Sequence, residues 1–319
     1  MTAVRLTDGE FIEAWNTYKS ASKMSEILKI GQRSIYRRRK NICEKHDVSL
    51  IATDSKQTYS PPRPPSELGI LNGTVIVFSD AHFWPGIRTT AFQGLLWAIK
   101  KLQPKAVICN GDAFDGASIS RHPPLGWVRT PSVIDELNAC KESLGEVVEA
   151  TKNARYNAKL IYTMGNHDAR FEMRLASNAP QYVQTPGFRL SDHFPDWEFC
   201  MLTWVTKDLI VKHRYKGGLH ATHNNTASSG KSIVTGHLHS LKVTPYADYS
   251  GNRFGVDTGT LAEPYGPQFD YSEGNPLNHR SGFAVLTLKN GKLLWPELVH
   301  KWDEGQIEFR GEVIDVSDL

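Results

Sequence analysis

Five short runs of this sequence end in acid, amide or imidazole side chains whose types suit metal coordination. In four of them an apolar segment comes directly before the polar residues, as residues 75–78 do before Asp80. Oxygen and nitrogen donors without a thiolate favour a pair of divalent cations such as Mn, Fe or Zn over a structural cysteine-type zinc site. The candidate donors are Asp80, His82, Asp112, Asn166, His213, His237 and His239.

The apolar segments before these donors are typical of buried strands. Strands over 74–79 and 106–109 are separated by a helical pattern at Phe92, Leu95, Leu96, Ile99 and Leu102. This βαβ arrangement predicts parallel neighbouring strands, with Asp80 and Asp112 side by side. A strand over 159–163 brings in Asn166 and His167. Because ligands collect at the carboxyl ends of such strands, we expect one shared crevice.

Other segments complete the predicted elements of this region. Residues 132–151 have a helical pattern, and residues 198–211 alternate as paired strands do. Asn290 and Gly291 predict a two-residue hairpin turn. The pattern over 169–197 is irregular and predicts no role. Further strands are predicted over 243–246, 254–258, 283–288 and 293–299.

The ordered set Asp-x-His, Gly-Asp-x-x-Asp, Gly-Asn-His-Asp, His and Gly-His-x-His resembles the calcineurin-like metallophosphoesterase superfamily over residues 74–240. The resemblance implies an α/β fold of two packed mixed β-sheets flanked by helices. It implies a nucleophilic hydroxide bridging two metals that lie roughly 3.5 to 4 Å apart. It implies Asp80, His82 and His239 on the first metal, Asn166, His213 and His237 on the second, Asp112 bridging both, and His167 as general acid oriented by Asp115.

Departures from the family pattern bear on the substrate and on one ligand. The family usually has His-Gly where this chain has His213 and Arg214, which leaves His220 and His223 as alternative donors. Protein phosphatases of the superfamily carry arginines at the positions of Gly116 and Met164. Their absence favours the nuclease and phosphodiesterase branch. Candidates for substrate contact are Arg170 and Arg121, which either offer bidentate forks to phosphate or pair with acids. Trp84 and Phe83 either stack on a base or pack in the core.

The basic excess of the chain lies in residues 1–48, which carry ten Lys/Arg and six Asp/Glu, whereas the remainder has 27 and 28. A capping box at Thr7 and Glu10 predicts a first helix, and Ser22 a second. A turn at Gly31 leads to a third, in a pattern that resembles helix-turn-helix domains. Its candidate nucleic-acid contacts are Arg33, Ser34, Arg37, Arg38 and Lys40. The alternative is a three-helix scaffold or partner-binding module with solvated arginines.

Four prolines among residues 61–65 favour an extended spacer. We therefore predict a helical domain over 1–48, a proline-rich linker over 49–70 and a phosphoesterase domain over 71–319. Four scattered cysteines, the absence of a secretory signal and the absence of a long apolar segment favour a cytoplasmic protein without membrane contact.

The predicted function is a phosphodiesterase with two divalent metal ions, Mn first among them, that cleaves DNA as a nuclease. The N-terminal domain would deliver it to the duplex. One alternative is a phosphomonoesterase or nucleotide phosphodiesterase whose N-terminal module binds a protein. Another is a DNA-binding regulator with an inert phosphoesterase domain. The sequence determines neither the metal nor the oligomeric state.

Overall fold

The computed structural model describes residues 6–46, 48, 50, 65–122, 126, 129–183 and 185–319. The chain forms two compact units, residues 1–62 and 63–319. Most of the predicted linker, residues 51–64 with three of the four prolines, lies outside the described residues. Ser66 and Glu67, also predicted as linker, form a short strand of the larger unit.

The N-terminal unit contains three helices, α1 (Asp8–Tyr18), α2 (Ala21–Leu28) and α3 (Gln32–His46). The predicted capping box is confirmed, because the Thr7 side chain accepts from the Glu10 amide while the Glu10 carboxylate accepts from the Thr7 amide. Ser20, not Ser22, caps the second helix; its hydroxyl accepts a hydrogen bond from the amide of Lys23. Helix α2 therefore begins one residue before Ser22.

A small apolar core holds these helices together, with Trp15, Met24 and Ile35 fully enclosed. The basic residues of α3 differ in their surroundings. Arg38 reaches back to the carbonyl of Leu6 and to Asp8, with its guanidinium 5.2 Å from the Phe11 ring centroid. Exposed residues of the same helix are Arg33, Ser34, Arg37 and Lys40.

The larger unit consists of fifteen strands and four helices among its described residues. Its helices are α4 (Thr90–Leu102), α5 (Val133–Ala154), α6 (Asp168–Asn178) and α7 (Ala221–Ser229). Its strands are β1 (Ser66–Glu67), β2 (Gly73–Phe78), β3 (Ala106–Cys109), β4 (Lys159–Thr163), β5 (Glu198–Cys200), β6 (Thr203–Thr206), β7 (Leu209–Val211), β8 (Ser232–Thr235), β9 (Lys242–Asp248), β10 (Gly251–Asp257), β11 (Gly282–Lys289), β12 (Lys292–Leu293), β13 (Glu297–Asp303), β14 (Gln306–Phe309) and β15 (Glu312–Asp315).

These strands form two mixed sheets. The first has the order β15-β14-β13-β11-β2-β3-β4-β5, with β12 paired to β11, and the second has the order β1-β6-β7-β8-β10-β9. Strands β2, β3 and β4 are parallel neighbours, which confirms the predicted βαβ unit. Strands β7 and β8 are parallel neighbours in the second sheet. The donors that follow these strands therefore emerge at carboxyl ends.

Alternate side chains of β2 explain how the sheets pack. Val75 and Val77 enter one apolar core with Val211 and Val234 of the second sheet, so the two sheets pack face to face. Ile76 and Phe78 point to the opposite face and pack with residues of α4 and α5. Burial on both faces accounts for the continuous apolar runs in the sequence.

The remaining predictions differ from the structure mainly where polar sequence forms helix. Most of α6 lies in the unassigned segment 169–197, and α7 lies in residues 217–231, a polar stretch of the sequence. The hairpin at Asn290 and Gly291 is confirmed, since Lys289 pairs with Lys292. The prediction of a single strand over 293–299 is wrong, because two strands, β12 and β13, cover this region. Pro296, which has no amide hydrogen, lies in the gap between β12 and β13.

Candidate metal centre

The loops after β2, β3 and β8 turn sharply, and their polar residues take a backbone conformation that side chains rarely adopt. Five of the seven predicted donors have positive φ angles. Such strain is found at functional sites, where surrounding structure holds it in place. The five are Asp80 (φ 51°), His82 (40°), Asp112 (54°), His237 (72°) and His239 (55°).

One group of ligand atoms comes from Asp80, His82 and His239, all within 4.8 Å of one another. Oδ1 of Asp80 lies 3.0 Å from Nε2 of His239, while Oδ2 accepts a hydrogen bond from the His237 amide at 2.8 Å. The structure thus brings together the three residues predicted for the first metal.

His82 provides an internal test of whether this group fits a cation. Its Nδ1 lies 2.8 Å from Oδ1 of Asp115, whereas its Nε2 is buried and has no hydrogen-bond partner among the described residues. A buried imidazole nitrogen without a partner is costly unless something else satisfies it. The donor set and this atom both fit a bound divalent cation.

A second group contains Asp112, His213 and His237, again within 4.8 Å. Nε2 of His213 lies 2.9 Å from Oδ2 of Asp112 and 3.2 Å from Oδ1 of Asn166. Nδ1 of His213 donates to the carbonyl of Asn110 at 2.7 Å. This bond leaves the Nε2 lone pair directed at the group, as in many metal-ligating histidines.

The alternative donors His220 and His223 lie elsewhere. His220 precedes α7 and His223 lies on it, and both are exposed to solvent. His213 is buried beside Asp112. The geometry therefore favours His213 as the ligand at this point of the sequence, although arginine follows it.

Mutual electrostatics make this region attractive to cations. Burial alone would raise the pKa of Asp80, but the imidazoles of His239 and His213 lower it to about 2. Burial would lower the pKa of His213, yet the carboxylates of Asp112 and Asp80 raise it to about 10. The negative potential that favours a proton on His213 equally favours a divalent cation.

Asp115 connects the metal centre to the predicted general acid. Its Oδ1 lies 2.8 Å from Nδ1 of His167 and the same distance from Nδ1 of His82. The His167 amide also donates to Oδ1 of Asp112 at 2.7 Å. One buried carboxylate therefore positions both a candidate ligand and the candidate acid.

The metal centre opens into a cavity of about 600 Å³ that we call the active-site cavity. Arg170 lines it, with Nη1 donating to the Asp115 carbonyl at 2.9 Å and Nη2 lying 3.1 Å from Nε2 of His167. Trp84 and Tyr271 form part of its wall. Arg121 lies on an adjoining groove instead. Phe83 is buried against Phe92, with ring centroids 5.5 Å apart, which corresponds to its core interpretation.

Asp168 is a positioning residue to which the sequence motif assigned no role. Its carboxylate accepts hydrogen bonds from the amides of Asp112 and Gly165, both at 2.8 Å, and from the Tyr162 hydroxyl at 2.7 Å. Burial and the charge of Asp112 raise its pKa to about 6. The Asp168 carboxylate therefore joins the loop after β3 to the loop after β4 by hydrogen bonds, and Asp112 and Asn166 face the same centre.

His279 is a second positioning residue, and no sequence signal marked it. Its Nδ1 lies 3.3 Å from Nδ1 of His239, on the side of the ring opposite Asp80. Burial, followed by the charge of His239, lowers the pKa of His279 to about 4. The neutral ring accepts a hydrogen bond from His239, which leaves Nε2 of His239 unprotonated for a ligand role.

We expect His279→Phe to lower metal affinity by about 10- to 100-fold, because the partner of His239 is lost. His279→Asn keeps an acceptor oxygen and should recover most of the affinity. Titration of the chelator-treated protein with Mn²⁺ in a calorimeter measures both variants. Equal affinities for the two variants would contradict this role.

Glu136 on α5 holds the loop that carries Asp115. It is fully buried and accepts hydrogen bonds from the amides of Gly116 at 2.6 Å and Ala117 at 3.0 Å. Burial, with a contribution from the Asp115 charge, raises its pKa from 4.5 to about 7. Between these values the folded protein binds a proton that the unfolded chain releases.

The free energy of unfolding should therefore fall as pH rises from 4.5 to 7, with Glu136 contributing roughly 3 kcal/mol. Glu136→Gln removes this contribution. Urea unfolding of chelator-treated protein at pH 5 and pH 8 should show the difference between variant and wild type changing by that amount. Glu142→Gln, at an exposed position of the same helix, serves as the control. Parallel pH profiles for Glu136→Gln and wild type would refute the expectation.

The two mixed sheets and the paired Asp/His groups at their strand ends define a metallophosphoesterase. The model of the calcineurin-like phosphoesterase family matches residues 73–255, more than half of the chain, and the chain belongs to that family. The family normally binds two divalent metals, and the two groups of Asp and His described above could hold them. No curated protein sequence matches the chain significantly.

Solved structures with similar folds include three phosphoesterases. An archaeal phosphodiesterase is 13% identical, with 71% of this chain and 99% of that chain covered and a TM-score of 0.37. The nuclease MPE of Pseudomonas putida is 14% identical, with 70% and 86% covered and a TM-score of 0.29. A dimetal phosphatase from Danio rerio is 10% identical, with 77% and 99% covered and a TM-score of 0.34. At these values they say nothing about this chain's substrate.

A helix that crosses a membrane must be both long and apolar. In the part of the chain that the structure describes, no helix combines the necessary length with the necessary apolar character.

Proposed function

We propose that this protein is a metal-dependent phosphodiesterase that cleaves DNA. The observation that carries the proposal is the joining of a phosphoesterase metal centre to a cavity with an arginine and aromatic side chains. Arg170 matches a phosphate, and Trp84 and Tyr271 offer faces on which a base can stack. A phosphodiester with a nucleoside on at least one side fits these walls.

Asp80, His82 and His239 would hold one cation, Asn166, His213 and His237 the other, and Asp112 would contact both. When bound, divalent cations supply Lewis-acid activation of water and neutralise the charge on phosphoryl oxygens. Arg170 donates to a non-bridging oxygen of the substrate. A guanidinium can only donate hydrogen bonds, so Nε2 of His167 accepts a hydrogen bond from Arg170 as long as the two side chains stay in contact.

A phosphate that engages Arg170 frees Nε2 of His167 to carry a proton. Asp115 keeps the other ring nitrogen fixed, so Nε2 faces the substrate. A water molecule loses one proton to solvent as it attacks phosphorus. The new P–O bond forms while the P–O bond to the leaving nucleoside oxygen breaks, and the His167 proton passes to that oxygen. The products are a phosphomonoester and an alcohol.

The N-terminal helices are proposed to bind the duplex through exposed residues of α3. Arg33, Arg37 and Lys40 face solvent, whereas Arg38 contacts α1 and is left out of this surface. Arg33→Gln/Arg37→Gln should reduce the salt dependence of duplex binding in chelator by about 0.9 per lost phosphate contact. An unchanged slope would favour a protein partner for this unit.

The proposed activity is tested with the full chain and Mn²⁺ on single-stranded DNA, duplex DNA, bis(p-nitrophenyl) phosphate and p-nitrophenyl phosphate. We expect DNA cleavage and slow turnover of the monoester. Fast monoester turnover without cleavage of any DNA would reject the proposed DNA cleavage.

The second candidate is a nucleotide phosphodiesterase, which is favoured by the cavity volume of about 600 Å³, a size usual for small-ligand sites.

A further inference from the structure

A second cavity, which we call the arginine groove, adjoins the active-site cavity. It has a volume of about 420 Å³ and begins beside Asn166, one of the candidate metal ligands. Arg170 and His122 line both cavities, so the two are continuous. A chain that occupies the active-site cavity can therefore extend into the groove without leaving the protein surface.

The walls of the groove are unusually basic. Among its described residues are four arginines and no carboxylate; the arginines are Arg121, Arg170, Arg174 and Arg214. Only Arg170 has a carboxylate within 4.0 Å in the described part of the chain. Residues 49–319 have nearly equal numbers of basic and acidic side chains, so this concentration is local.

Helix α6 sets the spacing of these charges. Arg170 and Arg174 are separated by one helical turn, and Asn178 follows after a second. Side chains four residues apart lie on the same face, about 6 Å apart along the axis. Successive phosphates of an extended strand have a comparable separation. Arg214 borders the same groove directly after the candidate ligand His213.

We propose that the arginine groove binds the phosphates of a nucleic-acid strand next to the scissile phosphodiester. An inner phosphate meets Arg170 at the metal centre, and the following phosphates meet Arg174 and Arg214. The proposal rests on the proposed phosphodiesterase function and specifies its substrate as a strand of several nucleotides. A dinucleotide would leave the outer arginines unused.

The test compares two double variants of the full chain. Arg174→Gln/Arg214→Gln removes the two outer charges. Lys289→Gln/Lys292→Gln removes two exposed charges on the β11–β12 hairpin, whose end of β11 pairs with the start of β2, away from the metal centre. The measured quantity is kcat/KM for a single-stranded dodecanucleotide divided by kcat/KM for bis(p-nitrophenyl) phosphate.

We expect Arg174→Gln/Arg214→Gln to lower this ratio by about tenfold or more, since two charge-assisted contacts are lost. Its salt dependence should become shallower by about 1.4 in logarithmic slope. The lysine variant should keep the wild-type ratio. If the wild type cleaves the dodecanucleotide and the arginine variant retains both ratio and slope, the groove inference is overturned while the phosphodiesterase proposal stands. Hydrolysis of the small diester with no nucleic-acid cleavage by wild type would overturn the groove inference together with the proposed cleavage of DNA.

Discussion

Asp112→Asn is expected to lower phosphodiester hydrolysis by about 10³-fold or more and to reduce bound metal. Asp112 belongs to the second ligand group, with Oδ2 2.9 Å from Nε2 of His213 and Oδ1 accepting from the His167 amide at 2.7 Å. Its backbone carbonyl accepts from the amide of His82, a member of the first group, at 3.0 Å. Asparagine has the same shape and keeps an acceptor oxygen, but it lacks the negative charge that holds two cations together. The variant therefore tests the effect of the negative charge while the shape of the side chain stays the same.

Metal content after dialysis, measured by mass spectrometry, tests this expectation beside the turnover rate. A second readout is the melting temperature, because Mn²⁺ that binds the folded wild type stabilises it increasingly as its concentration exceeds Kd, and it should stabilise the variant little. Asp208→Asn is a suitable control, since Asp208 is a surface residue paired with Lys231. Full metal content together with wild-type turnover in Asp112→Asn would show that Asp112 does not bridge metals.

His167→Ala should retain metal yet slow DNA cleavage by about 10²- to 10⁴-fold. His167 contacts Asp115 and Arg170 through its ring, whereas the two groups assigned to the cations are formed by other residues. The rate falls because the variant has no acid to protonate the leaving nucleoside oxygen, and an unprotonated alkoxide is a poor leaving group. A p-nitrophenolate leaving group needs no such proton.

The general-acid role therefore predicts different losses of rate for two substrates. The loss of rate in His167→Ala should be large for DNA and much smaller for bis(p-nitrophenyl) phosphate. His223→Ala, at an exposed position of α7, controls for removal of an imidazole. An equal loss on both substrates would instead assign His167 to binding or to the support of Asp112.

Continuous apolar runs followed by polar residues were sufficient to locate the strands that build the site. Strands β3 and β4 have the bounds that their apolar runs predict. Buried parallel strands need side chains that are apolar on both faces, so their sequence signal is continuous and strong. Helix α7 was not assigned because three of the four side chains that it buries are polar, namely Thr222, Asn225 and Thr226, so its sequence lacks an apolar face. Helix α6 has only Asp168 fully buried, so no run of buried apolar residues marks it.

Some features of the site residues follow from the sequence, and others follow only from the tertiary structure. The sequence by itself determined the donor types and their order along the chain, since metal chemistry restricts ligands to a few side chains. The family resemblance implied the contact between Asp115 and His167, and tertiary structure alone decided the other partners that orient the donors. Asp115 also serves His82, Asp168 joins two loops, and His279 supports His239. Such contacts depend on loops far apart in sequence whose distances only the packing of two sheets sets. The same packing places Arg174 and Arg214 on one groove, which no local pattern could reveal.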